Sequence, residues 1–371
     1  MATSPVNPRT KVALFLGSGF SAASGLPTTR RLSDELIDPR KDNPAFMELE
    51  VFISRTIGAF WEAVFGWKPG TRPPSLEDHF TQIDLAANSG HYLGPDYDPK
   101  RLRAIRRMTI HRILTRLGSP RRTFDNIVDF FGKLRSVFEI AVITTNWDVE
   151  AERHLEELGV GVDDGLDPLI DLEDRYVPPT DLVRVLKLHG CINRAYCDCC
   201  RTIIGVDVTK AVPSLDLLLR PDDFRLFDEA VAQALTKRQS EERMGLYRAL
   251  RRCQFCGVEL GVRIGTFSYR KDLNPSAFYS VWDRAQADLQ AAQKWLFIGY
   301  SLPEADIEIR HLLKFTQLGR PRSAKASIEV VLRNDIDAGE RYQRFFGLSP
   351  QQISQEGIEE WVAKRLDAYC V

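Results

Sequence analysis

The chain has 371 residues, 44% hydrophobic and 27% charged, enough for one large or two modest domains with a sizeable core. Its 50 basic and 51 acidic side chains nearly cancel, which argues against a global polyanion-binding field. No apolar run approaches the roughly 18 residues that span a bilayer, and the opening MATSPVNPRT lacks the apolar core of a signal peptide; a cytoplasmic protein without membrane contact is expected.

In chain order, Val12 to Leu16 is a continuous apolar run of the kind buried on both faces of a parallel sheet. The glycine-rich stretch GSGFSAASG follows at 17–25, and Thr28 to Ile37 reads as a helix. Residues 44–136 read as mostly helical, with breaks near GWKPGTRPPS and SGHYLGPDYDP. Within them, 100–122 carries nine basic side chains and no acidic one. Its Leu102, Ile105, Ile110, Ile113, Leu114 and Leu117 recur at roughly helical spacing. That predicts a helix whose charged face meets solvent or another subunit, rather than a nucleic-acid site. EIAVITTNWD (139–148) is a second buried strand, followed by a helix over VEAERHLEEL. LVRVLKLHG (182–190), KWLFIGYSLPEAD (294–306) and ASIEVVLRND (326–335) predict three more strands, the last two leading into helices.

Strands thus alternate with helices, and glycine or polar residues cluster just past each strand's C-terminal end. This predicts an α/β fold, a Rossmann-like doubly wound parallel sheet with its ligand crevice along that edge. Two segments break the alternation. Residues 44–136 are expected as a helical insertion and 191–265 as a small zinc-binding insertion, both within one domain spanning 1–371.

Gly17 and Gly19 let the backbone turn sharply after the first strand and approach a ligand, and a following helix offers N–H groups to a phosphate. A purely structural strand-to-helix turn is the alternative, and the dinucleotide fingerprint G-x-G-x-x-G is not met, because position 22 is Ala. Seven cysteines are present, an odd number that argues for metal or free thiols rather than a disulfide framework. Cys197-x-x-Cys200 and Cys253-x-x-Cys256 have the spacing of a four-thiolate zinc site. The 52 residues between the pairs, 201–252, are an unusually long gap, tolerable because closure entropy grows only logarithmically. Cys199 leaves the choice of ligands open, and four free thiols are the alternative.

Gly17-Ser18-Gly19-Phe20-Ser21, continued by Ser24-Gly25-Leu26-Pro27-Thr28-Thr29-Arg30, resembles the sirtuin pattern G-A-G-I-S-x-x-S-G-I-P-D-F-R. TTNWD (144–148) is similar to the family's T-Q-N-I-D, and KLHG (187–190) to its strand ending in the catalytic histidine. CDCC and CQFC are similar to its paired zinc cysteines, GYSL (299–302) to its G-T-S-L, and LRND (332–335) stands where it has an asparagine after a late strand. The resemblance spans residues 17 to 335. It implies NAD as substrate and structural zinc on Cys197, Cys200, Cys253 and Cys256. It implies NAD contacts from Gly17, Ser18, Gly19, Phe20, Ser21 and Ser24, and from Pro27, Thr29, Arg30 and Thr145. Gly299, Ser301 and Leu302, with Asn334 and Asp335, fall on the adenosine side. Asn146 is implied at the ribose and the attacking water, Asp148 at the nicotinamide amide, and His189 as general base at the ribose hydroxyls. Capping of the helix VEAE is the alternative role for Asp148, and a satisfied strand-end histidine the alternative for His189.

The pattern departs from the family where the acceptor is chosen. Thr28-Thr29 replaces Asp-Phe, and Thr145 replaces the glutamine of T-Q-N-I-D. RIGTFSYRK lacks an F-G-E-like segment, and GYSLPEADIEI replaces a V-x-P ending with an acidic helix start. These departures resemble the divergent bacterial sirtuin-like proteins that hydrolyse NAD in anti-phage defence. The expectation is therefore an NAD+ glycohydrolase, controlled by homo-oligomer assembly or a protein partner. A protein deacylase or ADP-ribosyltransferase, or a non-catalytic NAD or ADP-ribose sensor, are the alternatives.

Overall fold

The apolar runs become one seven-stranded parallel sheet. In this computed structural model the described residues are 9–39, 47–118, 125–165, 181–197, 199–200, 203–205, 220–242, 253, 255–258, 268 and 276–371. The segment RIGTFSYRK, apart from Ser268, and the end of 100–122 lie outside them. The strands are β1 (Lys11–Leu16), β2 (Glu139–Thr144), β3 (Gly161–Asp163), β4 (Leu182–Lys187), β5 (Arg194–Tyr196), β6 (Ile203–Gly205), β7 (Lys294–Ile298), β8 (Ser327–Val331) and β9 (Ile353–Ser354). The sheet runs in the order β3-β4-β2-β1-β7-β8-β9, while β5 and β6 pair as a separate antiparallel hairpin. Helices are α1 (Ser18–Ala23), α2 (Thr29–Glu35), α3 (Met47–Phe65), α4 (Leu76–Ser89), α5 (Pro99–Leu117), α6 (Asp125–Val137) and α7 (Glu150–Glu157). They continue with α8 (Pro221–Arg225), α9 (Glu229–Glu242), α10 (Ser276–Ala291), α11 (Ile307–Leu318), α12 (Ile336–Phe346) and α13 (Ile358–Tyr369).

Two compact units result. Residues up to Leu26, Arg121–His189 and Ser276–Val371 form the sheet unit; Pro27–Pro120 and Gly190–Pro275 form the other, as far as they are described. In the sheet unit the strict period of two sends alternate strand residues to opposite faces. Val12, Leu14 and Leu16 pack with Phe130 and Phe131 of α6, Leu155 of α7 and Trp361 of α13. Ala13 and Phe15 pack with Ala285 of α10, Leu313 of α11 and Tyr342 of α12. Helices therefore cover both faces, and the strands read as unbroken apolar runs for that reason. Helix α6, grouped by sequence with the helical segment 44–136, packs on this sheet.

The second unit adds to the expectation for the basic helix. All six apolar residues named for it are buried in α5. Several of its arginines reach acceptors of the same unit, so the charged face is only partly solvated, with Lys100 and Arg103 exposed. Arg106 pairs with Asp84 at 2.7 Å, and Arg107 Nε donates to Asp223 at 2.6 Å. Arg112 is fully buried and donates to Glu50 O at 2.7 Å and Ser54 Oγ at 3.1 Å, with the Glu50 carboxylate at 3.2 Å. Arg101 and Arg103 donate to the Leu226 and Ala87 carbonyls at 3.2 and 2.7 Å. An excess of guanidinium groups on one helix here satisfies buried carbonyls and carboxylates, which would otherwise cost desolvation energy.

Beside this helix lies a buried polar chain. Trp61 Nε1 donates to His79 Nδ1 at 2.8 Å, so the ring proton sits on Nε2, 3.0 Å from Thr109 Oγ1. The Thr109 hydroxyl in turn donates to Ile105 O at 2.9 Å. Burial first, and Arg106 second, push His79 down to about 3. A depressed histidine contributes stability that is fully present above the unfolded value near 6.5 and is lost as the pH falls toward 3. The expected loss is about 1.4 kcal/mol per pH unit in that window. Urea denaturation at several pH values checks it: His79→Gln should flatten the acid slope relative to wild type, and equal slopes would refute the assignment.

Candidate functional site

The sheet order makes β1 the reversal point. The chain leaves it on one side for β2, β4 and β3, and on the other for β7, β8 and β9. A ligand crevice forms where two such halves diverge, outside the C-terminal ends of the strands. The register brings those ends level: Leu16 faces Thr144 and Ile298, Thr144 faces Lys187, and Ile298 faces Val331. The residues just past them are therefore brought to one edge by topology alone. They include Gly17, Thr145 and Asn146, His189, Gly299 and Ser301.

At the reversal point, glycine lets two loops touch. A Cβ on Gly17 would lie 2.4 Å from Tyr300 Cα, and one on Gly299 only 2.3 Å from Phe20 N. Gly299 also has φ +62°, a left-handed conformation that other residues adopt only with strain. Gly19 N donates to Gly299 O at 2.9 Å and Phe20 N to Gly17 O at 2.9 Å. Of the N–H groups opening α1, those two are thus already engaged. The glycines close the first loop onto the β7 loop as well as exposing backbone. Among the residues expected here, Phe20 is buried in the sheet core, 6.0 Å from the Phe131 ring. Ser18 is half-buried, and Ser21 and Ser24 are buried.

Asn146 is held by the first loop. Its Nδ2 donates to Gly17 O at 2.9 Å and to Ser21 Oγ at 3.0 Å. Its own N–H is accepted by Thr144 Oγ1 at 3.0 Å, and that hydroxyl donates to Leu16 O at 3.0 Å. Because the Gly17 carbonyl can only accept, the amide nitrogen faces it, and Oδ1 points away, accepting no hydrogen bond from the described residues. Thr145 beside it is half-buried. Asp148 is buried and its Oδ1 accepts from Glu150 N at 3.1 Å, so a capping contact at the start of α7 is present. His189 is buried two residues past β4, next to Leu188, whose carbonyl accepts from Trp282 Nε1 at 3.2 Å.

Across the reversal point, the only non-glycine residues with positive φ among the described residues are Leu302 (51°) and Asn334 (50°), in the loops past β7 and β8. Such strain persists only where neighbours over-determine it and clusters at functional sites. Here Arg341 Nε donates to Ser301 O at 3.0 Å, Arg310 to Leu302 O at 3.2 Å, and Asn334 N to Gln355 O at 3.1 Å. Ser301 is half-buried and Asn334 exposed. Asp335 uses Oδ1 to cap α12 through Ala338 N at 2.9 Å, so one of its oxygens serves the helix. Pro27, Thr29 and Arg30 belong to the other unit: Pro27 is buried, and Thr29 and Arg30 open α2, with Arg30 exposed.

Sequence reasoning missed a cluster of buried ionisable groups behind the β2 loop: Glu150, Glu152, His154 and Lys187. Lys187 Nζ lies 2.9 Å from Glu152 and also donates to the Asp148 carbonyl. Burial, and then Asp148, raise Glu150 above the usual carboxylate range, against the opposing pull of Arg153 and the Ser24 hydroxyl. Burial also lowers His154, whose Nδ1 meets Glu150 O at 2.5 Å. The available signal was a lysine interrupting the apolar run VRVLKL and acidic residues directly after TTNWD.

In the second unit the four expected cysteines converge. The sulfurs of Cys197, Cys200, Cys253 and Cys256 all lie within 4.8 Å of one another. Cys197 to Cys256 is 3.5 Å and Cys253 to Cys200 is 3.9 Å. A tetrahedral thiolate site with Zn–S near 2.3 Å has S···S edges of about 3.8 Å, so the group fits zinc. Cys199 is exposed and outside the four, which settles the ambiguity of the CDCC segment. Burial opposes thiolate formation at Cys253, but the Phe255 and Cys256 amides with the neighbouring thiols outweigh it and bring it down to about 7.

No family model matches the chain, and no curated protein matches its sequence. Among solved structures, a Sir2 homologue in complex with NAD is 16% identical, with 98% of this chain and 90% of that chain covered and a TM-score of 0.41. A Sir2 homologue mutant in complex with ADP-ribose is 14% identical over 98% and 92% of the two chains, at a TM-score of 0.42. Sir2Tm bound to a propionylated peptide is 13% identical over 97% and 93%, at a TM-score of 0.38.

Proposed function

We propose that the chain is a sirtuin-like NAD+ glycohydrolase, which cleaves NAD+ to nicotinamide and ADP-ribose at the C-terminal edge of its sheet. The observation that carries this reading is Asn146. Its carboxamide nitrogen is anchored on Gly17 O and Ser21 Oγ, leaving Oδ1 to orient a water or a ribose hydroxyl by accepting a hydrogen bond from it. When the C1′–N bond breaks, its electron pair leaves with nicotinamide and C1′ becomes oxocarbenium-like. Water adds there and its proton passes to solvent, while His189, buried just past β4, is assigned as general base at the ribose hydroxyls. Asp148 is assigned to the departing amide. Ser301 and Asn334, in the braced loops past β7 and β8, are assigned to the adenosine half.

Hydrolysis is preferred over acyl transfer because of the residues that differ from the deacylase pattern. Thr29 replaces a phenylalanine that would shield the reacting face from water, Thr145 replaces glutamine, and GYSLPEAD runs into α11 instead of a V-x-P segment. An unrestrained NAD hydrolase would deplete its own cell. We therefore assign it as a regulated effector in anti-phage defence, restrained by homo-oligomer assembly or a protein partner acting through 44–136. No helix among the described residues is long and apolar enough to cross a membrane.

Incubating the protein with NAD+, with and without acetylated peptide, tests the reading. Free ADP-ribose formed without peptide is expected. Acetyl-ADP-ribose formed only with peptide would make it a deacylase, and tight binding without turnover would make it a sensor.

A further inference from the structure

We infer that Lys187, paired with Glu152, is a positioning residue that holds the loop carrying Asn146 and Asp148 in place for nicotinamide departure; this rests on the NAD reading above. Lys187 closes β4, a strand whose Val183, Val185 and Leu186 are core residues. Both side chains of the pair are nearly inaccessible, at 9% for Lys187 and 7% for Glu152, with 2.9 Å between Nζ and Oε1. A buried ion pair is weak as a source of stability, because stripping water from two charges offsets most of their attraction, and an apolar pair would serve the core as well. What an apolar residue could not do is donate a hydrogen bond to the Asp148 carbonyl, as the Lys187 ammonium does.

That donor closes a mechanical circuit. The 145–148 loop leaves β2 and is tied toward β1 by Asn146 Nδ2 on Gly17 O and Ser21 Oγ. Lys187 ties the other end of the same loop toward β4, two residues before His189. The Asp148 carboxylate is then aimed by Glu150 N–H at 3.1 Å. Two anchors on opposite neighbouring strands fix the loop from Thr145 to Asp148 at both of its ends. Glu152 supplies the counter-charge that keeps the ammonium in position. Catalytic groups need placement within fractions of an ångström, and a displacement of about 1 Å can cost on the order of 10²-fold in rate.

The test uses the full chain carrying Lys187→Met together with Glu152→Gln, which removes the donor without leaving an orphan charge. The ADP affinity by calorimetry should stay within about twofold, because the adenosine half is assigned to the braced loops past β7 and β8 and not to the 145–148 loop. The kcat for NAD+ should fall at least tenfold, and inhibition by free nicotinamide should weaken by a similar factor. Lys187→Arg, which keeps a cationic donor, should recover most of the loss. Unchanged kcat and nicotinamide inhibition would overturn the inference, as would loss of ADP affinity in step with them. A Lys187→Arg protein as impaired as the double variant would overturn it too. A wild type that binds NAD+ without consuming it defeats the hydrolase reading instead, and nicotinamide competition against bound NAD+ still reads the Lys187 effect.

Discussion

Replacing Asn146 by alanine is expected to cut NAD+ turnover by about 10²- to 10³-fold, the range found when one positioned polar group is removed from a reacting centre. The structure sharpens the reason. Asn146 does two things at once: Nδ2 bonds Gly17 O and Ser21 Oγ, and Oδ1 is thereby turned away from the sheet. Alanine removes both. Asn146→Asp separates them, because it keeps an outward oxygen but puts a second oxygen against the Gly17 carbonyl, where two acceptors repel. Both variants should lose turnover, and the aspartate form should also loosen the first loop. Asn146→Ala should still bind the dinucleotide, since the loops past β7 and β8 that receive the adenosine half are braced separately by Arg310, Arg341 and Gln355. The measurement is NAD+ consumption by chromatography beside binding by calorimetry. Wild-type consumption by Asn146→Ala would remove Asn146 from the site.

Removing metal from the four-cysteine group is expected to have the larger structural effect. Apparent binding energies of structural zinc reach about 10–16 kcal/mol in small zinc modules, and that binding energy is folding energy. Among the described residues around the cysteines, regular structure is short. β5 and β6 are three residues each, and Phe255 and Val258 are exposed. About one zinc per chain is expected by elemental analysis. Cys253→Ser or chelation should raise hydrogen exchange sharply over 194–200 and 253–258, while amides of the sheet strands stay protected. Cys199→Ser, outside the four sulfurs, should change neither zinc content nor exchange. A metal-free protein with the same protection in those segments would rule the site out.

How much of this was legible beforehand differs element by element. β1, β2, β4, β7 and β8 announced themselves as apolar runs because both faces of the sheet are covered, so no polar residue is needed on either side. β3 and β9, three and two residues long at the sheet's edges, have too few residues to show any period. α1 was hidden within GSGFSAASG, since glycine and serine are weak helix formers. Its short run is held by contact with the β7 loop. The arginines of α5 show the limit in another way. Their spacing was readable, but their acceptors Asp84, Asp223 and Glu50 lie on other segments of the chain, and a linear pattern cannot say which of two faces a long cationic side chain will choose.

The sequence by itself determined the order of the five long strands, the edge on which the glycine and polar residues gather, and the two C-x-x-C pairs. Each is a local property, expressed through side-chain period, backbone freedom at glycine or the reach of a C-x-x-C turn. Only the tertiary structure decided that Gly17 and Gly299 sit against one another, that Cys199 stays out of the sulfur group, and that Lys187 reaches the Asp148 carbonyl. These are contacts between residues up to hundreds of positions apart, set by strand register and by how a buried charge finds its partner. The pattern of a single segment records them at most as an out-of-place residue, as Lys187 is in VRVLKL, without naming the partner.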